Sequence, residues 1–221
     1  MANLITLRLN GPFEVLGPDG VPLRDLSKRG QALLAYIACQ PGMAASRSVL
    51  MELLWSDRSR EQASASLRQE LSRLRRSLPE DVLMADRSAV RLSGDHTRIL
   101  PDESASVLEG FDIASHGFEE WLRNARHRKL DRLHEERLAQ AAKAIESGDA
   151  DAAQAAAQAA LEADAASEQA MQMLLRAAAQ GGDRSAALAR LRRFESFLSE
   201  ELNIAVLPET KALANALRQE S

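Results

Sequence analysis

The stretch from Ser59 to Leu78 constrains this chain more than any other. Ser59 and Gln62 stand at the Ser-x-x-Gln spacing of a helix capping box, and Leu67, Leu71, Leu74 and Leu78 then recur three or four residues apart. At 100° per residue those four leucines fall within about 60° of each other, and Pro79 ends the pattern. A helix with one apolar stripe must lay it on something, so the spacing predicts a helix over about 60–78 packed on a sheet and two other helices. Away from the stripe it carries Gln62, Ala65, Gln69, Ser72, Arg73 and Arg76, flanked by Arg68 and Arg75.

The surroundings supply those partners. Residues 4–23 alternate as strands do, with Ile5, Leu7 and Leu9 on one face, then Phe13 and Val15, then Val21 and Leu23. Gly11-Pro12 and Gly17-Pro18-Asp19-Gly20 make the turns between them. One helical pattern runs from about Ser27 to Gln40 and stops at Pro41-Gly42. A second runs from Ser46 to about Trp55, with Val49, Leu50, Leu53 and Leu54 apolar. After the 60–78 helix, Val82-Leu83-Met84-Ala85, a turn at Asp86-Arg87-Ser88-Ala89, and Val90-Arg91-Leu92 read as a hairpin. Sheet, three helices and hairpin is a winged-helix order. Residues 93–117 read as a linker, tacked down by Val107-Leu108-Glu109-Gly110-Phe111.

From Phe118 onward the chain reads as Ala-rich helix. Gly148-Asp149 and Gly182-Asp183 lie 34 residues apart, and Ala153 and Ala187 repeat at the same offset. That is the tetratricopeptide period, although Ala165 and Ser199 stand where the repeat has its proline. A last helix starts near Pro208-Glu209-Thr210. The expected fold is mainly α with small β elements. It has an N-terminal winged helix-turn-helix domain over 1–95 and a tetratricopeptide-like all-α helical domain over 96–221.

Composition removes several classes. The chain has 221 residues, enough for one or two domains with a real core, and its 27% charged and 45% hydrophobic residues are those of a folded globular protein. No run of 18 apolar residues occurs, so no membrane span and no membrane partner are expected, and the start MANLITLRLNGPFEV has no secretory pattern. The single cysteine, Cys39, allows no internal disulfide and is expected to pack as a small core residue. A cytoplasmic location is expected. His96, His116, His127 and His134 show no metal-ligand spacing, so no metal or cofactor is expected, and His127 and His134 are expected at the surface. No catalytic arrangement stands out, and an enzyme is not expected. Trp55 and Trp121 read as core anchors at helix ends, and the basic run 123–129 reads as a solvated face.

The 60–78 helix carries the chemistry. The DNA major groove admits one helix, and small residues such as Ala65 and Ser72 let its axis approach the bases. Gln69 can bond adenine bidentately and arginine can bond guanine. Arg73, Arg75 and Arg76 are better placed for phosphates, with Arg68 flanking. Arg87 at the hairpin tip would enter the adjacent minor groove, and Arg91 would hold the backbone. Ser46 and Arg47, opening the second helix, would meet a phosphate. Double-stranded DNA is therefore the expected partner. The net charge of −4 does not oppose this: residues 1–95 hold 13 Lys+Arg and 11 Asp+Glu, whereas residues 96–221 hold 15 and 21.

Residues 1–95 resemble the winged-helix output domain of OmpR-type response regulators, with Ser66 to Leu78 where that family has its recognition helix. Residues 96–221 resemble the bacterial transcriptional activator domain, through Leu108-Glu109-Gly110-Phe111, Phe118-Glu119-Glu120-Trp121-Leu122, and Glu200-Glu201-Leu202-Asn203 leading to Pro208-Glu209-Thr210-Lys211-Ala212-Leu213. In this order the pair resembles the SARP family of transcriptional regulators. The resemblance implies an activator that binds promoter direct repeats as a homodimer or side by side and recruits RNA polymerase. The P-loop of larger members has no counterpart among these residues. The alternative reading is an adaptor whose winged helix does not read DNA and whose tetratricopeptide groove holds a partner protein.

Overall fold

The computed structural model describes residues 4–101 and 106–219. The chain divides into two compact units, Met1–Arg126 and His127–Ser221.

The first unit runs β1 (Ile5–Arg8), β2 (Glu14–Leu16), α1 (Lys28–Ala38), β3 (Ala44–Ser46), α2 (Arg47–Trp55), α3 (Arg60–Ser77), β4 (Leu83–Ala85), β5 (Ala89–Leu92), β6 (Thr97–Ile99) and the start of α4 (His116–Ser147). Its strands make two small sheets, ordered β2-β1-β6 and β3-β5-β4. Leu7 lies opposite Val15 in the antiparallel β1/β2 pair, and Ile5 lies opposite Thr97 in the parallel β1/β6 pair. The hairpin β4/β5 pairs Leu83 with Leu92, and β3 joins it through Ala45 opposite Val90. The expected third strand at Val21–Leu23 is reduced to one bridge between Leu16 and Pro22, with Val21 exposed.

Leu67, Leu71 and Leu74 of α3 and its C-cap Leu78 are buried, as their spacing requires, in one core with Leu33, Leu34 and Ile37 of α1 and Leu50 and Leu54 of α2. Trp55 closes α2 inside that core. Cys39 departs from expectation. It is the C-cap of α1 and is exposed, because the chain turns away there toward Gln40-Pro41 rather than adding another residue to the buried face.

The stretch read as a linker is structured at both ends of residues 102–105. β6 completes the first sheet. Further on, Val107 bridges to Asn10, and the Leu108 amide donates to the Leu9 carbonyl. Leu108, fully buried, takes a left-handed backbone at φ 47°. Arg126 of α4 returns to this segment and donates from Nε to the Val107 carbonyl (2.9 Å) and from Nη2 to the Leu108 carbonyl (2.7 Å). Two members of the basic run are thus not solvated: Arg126 is spent on this segment, and Lys129 is buried. Five of the eight aromatics form a chain of ring contacts, Phe13–Phe111–Phe118–Trp121–Tyr36, with centroids 5.1–5.9 Å apart. That geometry adds to what burial of their area alone contributes.

The second unit holds the remainder of α4, α5 (Ala150–Ala163), α6 (Glu168–Ala179), α7 (Arg184–Glu201) and α8 (Pro208–Gln219). α6 packs on α5, α7 and α8. The 34-residue offset is real at both of its markers. Asp149 caps α5 and Asp183 caps α7, each accepting from the amide three residues on, and Ala153 and Ala187 are both fully buried. Alanines at these positions, and at 157, 160, 170, 177 and 178, leave no side chain to hold the helices apart.

His134 is half-buried, not a surface residue. Its Nδ1 donates to the Ala160 carbonyl in the last turn of α5 (3.1 Å), and its Nε2 lies 3.2 Å from the Ser167 hydroxyl that caps α6. The last carbonyls of a helix need partners from elsewhere, and α4 supplies one here. Glu168 does the same for the start of α8, accepting from the Leu207 amide and the Thr210 hydroxyl. Among the described residues no helix is long and apolar enough to cross a membrane.

Candidate nucleic-acid interface

α3 starts on a complete capping box. The Ser59 hydroxyl accepts from the Gln62 amide, and the Gln62 side chain accepts from the Ser59 amide, both at 3.3 Å. Gln62 is thereby committed to the helix end. Beyond it, Ala65, Arg68, Gln69, Ser72, Arg73, Arg75 and Arg76 are all exposed. The side chains of Arg68, Gln69, Ser72 and Arg76 make no hydrogen bond or ion pair with the rest of the described chain. Arg73 lies 3.8 Å from Glu70, and Arg75 reaches across to the hairpin and donates to the Ala85 carbonyl at 3.4 Å. One side of α3 thus faces the β4/β5 wing.

The wing turn is built by Asp86. Its carboxylate accepts from the Ser88 hydroxyl and amide (both 2.7 Å) and the Ala89 amide (2.8 Å). These bonds, that from the Ser88 hydroxyl foremost, lower its pKa to about 2. The arrangement is an Asx turn, and it sets Arg87 exposed at the tip. Arg91 is exposed on β5. Arg47 is half-buried: its Nη1 donates to the Asp86 carbonyl (3.1 Å) and its amide to the Ser88 carbonyl (2.9 Å), so it ties α2 to the wing. Ser46 caps α2, accepting from the Val49 amide at 3.3 Å, with the Ser48 hydroxyl 3.0 Å away. The structure therefore gathers the named residues into two neighbouring groups, the α3 face and the wing with the start of α2.

Sequence reasoning missed Glu70. It is 5% exposed, it accepts from the hydroxyl of Ser27, the N-cap of α1, and it lies beside Gly30. The signal was on the helical wheel: three residues after Leu67, Glu70 falls about 60° from the leucine stripe, where a carboxylate must find a buried partner. Arg58 was also missed. It stands in the turn between α2 and α3 and donates to the Ser66 hydroxyl at 2.8 Å.

Two family models match. One, the bacterial transcriptional activator domain, covers residues 104–218; the other, transcriptional regulatory protein, C terminal, covers residues 23–90. The chain belongs to the bacterial transcriptional activator domain family, in the two-part order of a SARP-type regulator. Both matching families are of transcription regulators. The regulatory protein AfsR of Streptomyces coelicolor is 32% identical over 108 residues, which is 47% of this chain and 10% of that protein. The structure of Mycobacterium tuberculosis EmbR, determined in complex with a low affinity phosphopeptide, shares the fold at a TM-score of 0.69. That match has 21% identity and covers 98% of this SARP-type chain and 65% of the EmbR chain. The chain spans a tenth of the AfsR sequence and 65% of the EmbR chain. The activator-domain match begins at residue 104, yet residues up to Arg126 belong to the same compact unit as the winged helix.

Proposed function

We propose that this SARP-type regulator is a sequence-specific double-stranded-DNA-binding protein that acts as an activator. α3 enters the major groove of promoter direct repeats, and the helical C-terminal region contacts RNA polymerase or a second copy of the chain. The observation that carries this reading is the α3 face: Gln69, Ser72 and Arg76 are exposed, unbonded to the described chain, and set beside a wing bearing Arg87 and Arg91. A groove helix needs side chains that are free to bond bases, with small residues between them, and this face has both.

Roles follow from position. Gln69 reads an adenine edge, with Ala65 and Ser72 admitting close approach. Arg68, Arg73, Arg75 and Arg76 meet phosphates along the groove, and Arg87 enters the neighbouring minor groove while Arg91 holds the backbone. Ser46 opens α2 toward a phosphate, and Arg47 serves by holding the wing turn in place. Residues 1–95 carry the DNA contacts, and 96–221 carry the protein contacts.

The test starts from a pool of random duplexes, from which the full chain selects its sites, followed by gel shifts over a salt series. Gln69→Ala should relax the preference at one base position by about 1–3 kcal/mol. Arg76→Ala should leave preference intact and reduce the salt slope by about one unit. Binding without preference over random DNA would overturn the sequence-specific reading. No shift at low salt, together with a stoichiometric protein partner on purification, would leave the adaptor instead.

A further inference from the structure

The wing accounts for one side of α3. On a wheel of 100° per residue, Arg75 faces the wing, whereas Ser66 and Arg73 lie on the opposite flank. Along that flank runs a cleft of about 630 Å³ between the start of α1, the end of α2 and residues 112–114. Lys28, Arg29, Arg58 and Arg73 line it. Among the described residues the first three have no ion pair with any carboxylate.

Neutral groups hold them instead. The Lys28 Nζ sits 4.8 Å from the centroid of the Phe111 ring, the Arg29 guanidinium sits 5.7 Å from that of Trp55, and Arg58 is bonded to Ser66. An aromatic face or a hydroxyl fixes a cation without cancelling its charge. Two carboxylates share the cleft: Glu70, buried and bonded to the Ser27 hydroxyl, and Asp112, which is exposed. The lining keeps an excess of positive charge. Gln69 and Arg73 belong both to this lining and to the exposed α3 face, so the cleft opens onto that face.

We propose that Lys28, Arg29 and Arg58 bind the phosphates of the DNA strand that forms the groove wall away from the wing. The inference rests on α3 being the groove helix. A helix in the major groove has a phosphate backbone on each side. Arg91 of the hairpin serves one wall, and the cleft cations, with Lys28 and Arg58 exposed and Arg29 half-buried, are placed for the other.

The experiment compares salt slopes of the full chain and its variants on a duplex selected by the wild-type chain. Each lost phosphate contact lowers the slope by about 0.9. The combined Lys28→Gln, Arg29→Gln, Arg58→Gln variant should lose between about two and three units of slope and keep its base preference. Arg58→Gln alone, at an exposed turn, should lose about one unit. Asp112→Asn should move the other way and tighten binding, which loss of a merely structural contact would not do. An unchanged slope in Arg58→Gln and in the folded triple variant overturns the proposal while leaving α3 as the reading helix. A wild-type chain that shows no salt-dependent DNA binding overturns both.

Discussion

Asp86 shows how one carboxylate can set the geometry of a whole hairpin tip. Three hydrogen bonds converge on it in an exposed turn, and they depress its pKa to about 2. A depressed carboxylate stabilises the fold fully above its unfolded pKa, about 3.9, and that contribution is lost as pH falls through the folded value. The wing turn should therefore stay ordered down to about pH 4 and loosen between there and pH 2. The amide resonances of Ser88 and Ala89 should titrate with a midpoint near 2, and Asp86→Asn should abolish that titration. A midpoint near 3.9 would mean that the turn is not bonded in solution. At Gly30 the packing leaves no room for a side chain. A Cβ there would lie 2.7 Å from Glu70 Oε1 and 3.0 Å from Leu74 Cδ2. Glu70 cannot swing aside, because it is buried and tied to Ser27. Gly30→Ala should therefore cost about 1–3 kcal/mol, read as a lower urea midpoint at an unchanged m-value. An unchanged midpoint would show that the Ser27–Glu70 tie is loose.

At the scale of elements, legibility followed the length and regularity of the pattern. α3 could be read to within a residue or two, because a capping box, a leucine stripe and Pro79 all mark the same helix. The exposed polar face came with it, as the complement of the stripe. β6 could not be read. It is three residues long, only Thr97 in it is buried, and its partner β1 lies about ninety positions back in the chain. No local period records a pairing of that kind. The cleft cations escaped for a similar reason: the aromatic faces that hold Lys28 and Arg29 come from Phe111 and Trp55, remote in sequence. These elements carry a prediction about boundaries. A fragment of residues 1–95 lacks β6, the 106–113 segment and the rings of Phe111, Phe118 and Trp121. It should expose the apolar face of β1 and α1, melt well below the intact chain and bind a hydrophobic dye. A fragment of residues 1–126 retains all of these and should melt cooperatively. If the two fragments melt alike, the aromatic chain and β6 contribute little to the first unit's stability.

At the scale of the whole molecule, charge is divided more evenly than the functional reading suggests. Residues 1–126 hold 16 Lys+Arg against 17 Asp+Glu, and residues 127–221 hold 12 against 15. Neither unit has the large positive excess that draws a protein onto DNA at long range. On the proposed reading, affinity must then come from local placement: arginines and a lysine concentrated on α3, the wing and the cleft, where they outnumber the carboxylates, and where Glu70 and Asp86 are engaged in hydrogen bonds of their own. Salt dependence counts released phosphate counterions rather than net charge. All the cations proposed to meet phosphate lie within residues 1–126, so the second unit should add nothing to the slope at a single site. The 1–126 fragment and the full chain should therefore give salt slopes that agree to within about one unit on a one-repeat duplex. On a duplex with two direct repeats, the full chain alone should gain affinity beyond the sum of two independent sites, because contacts between copies need the helical region. A slope more than about one unit lower in the fragment would place phosphate contacts on the helical region, starting with the exposed Arg128. Equal cooperativity in fragment and full chain would move the contact between copies into the first unit.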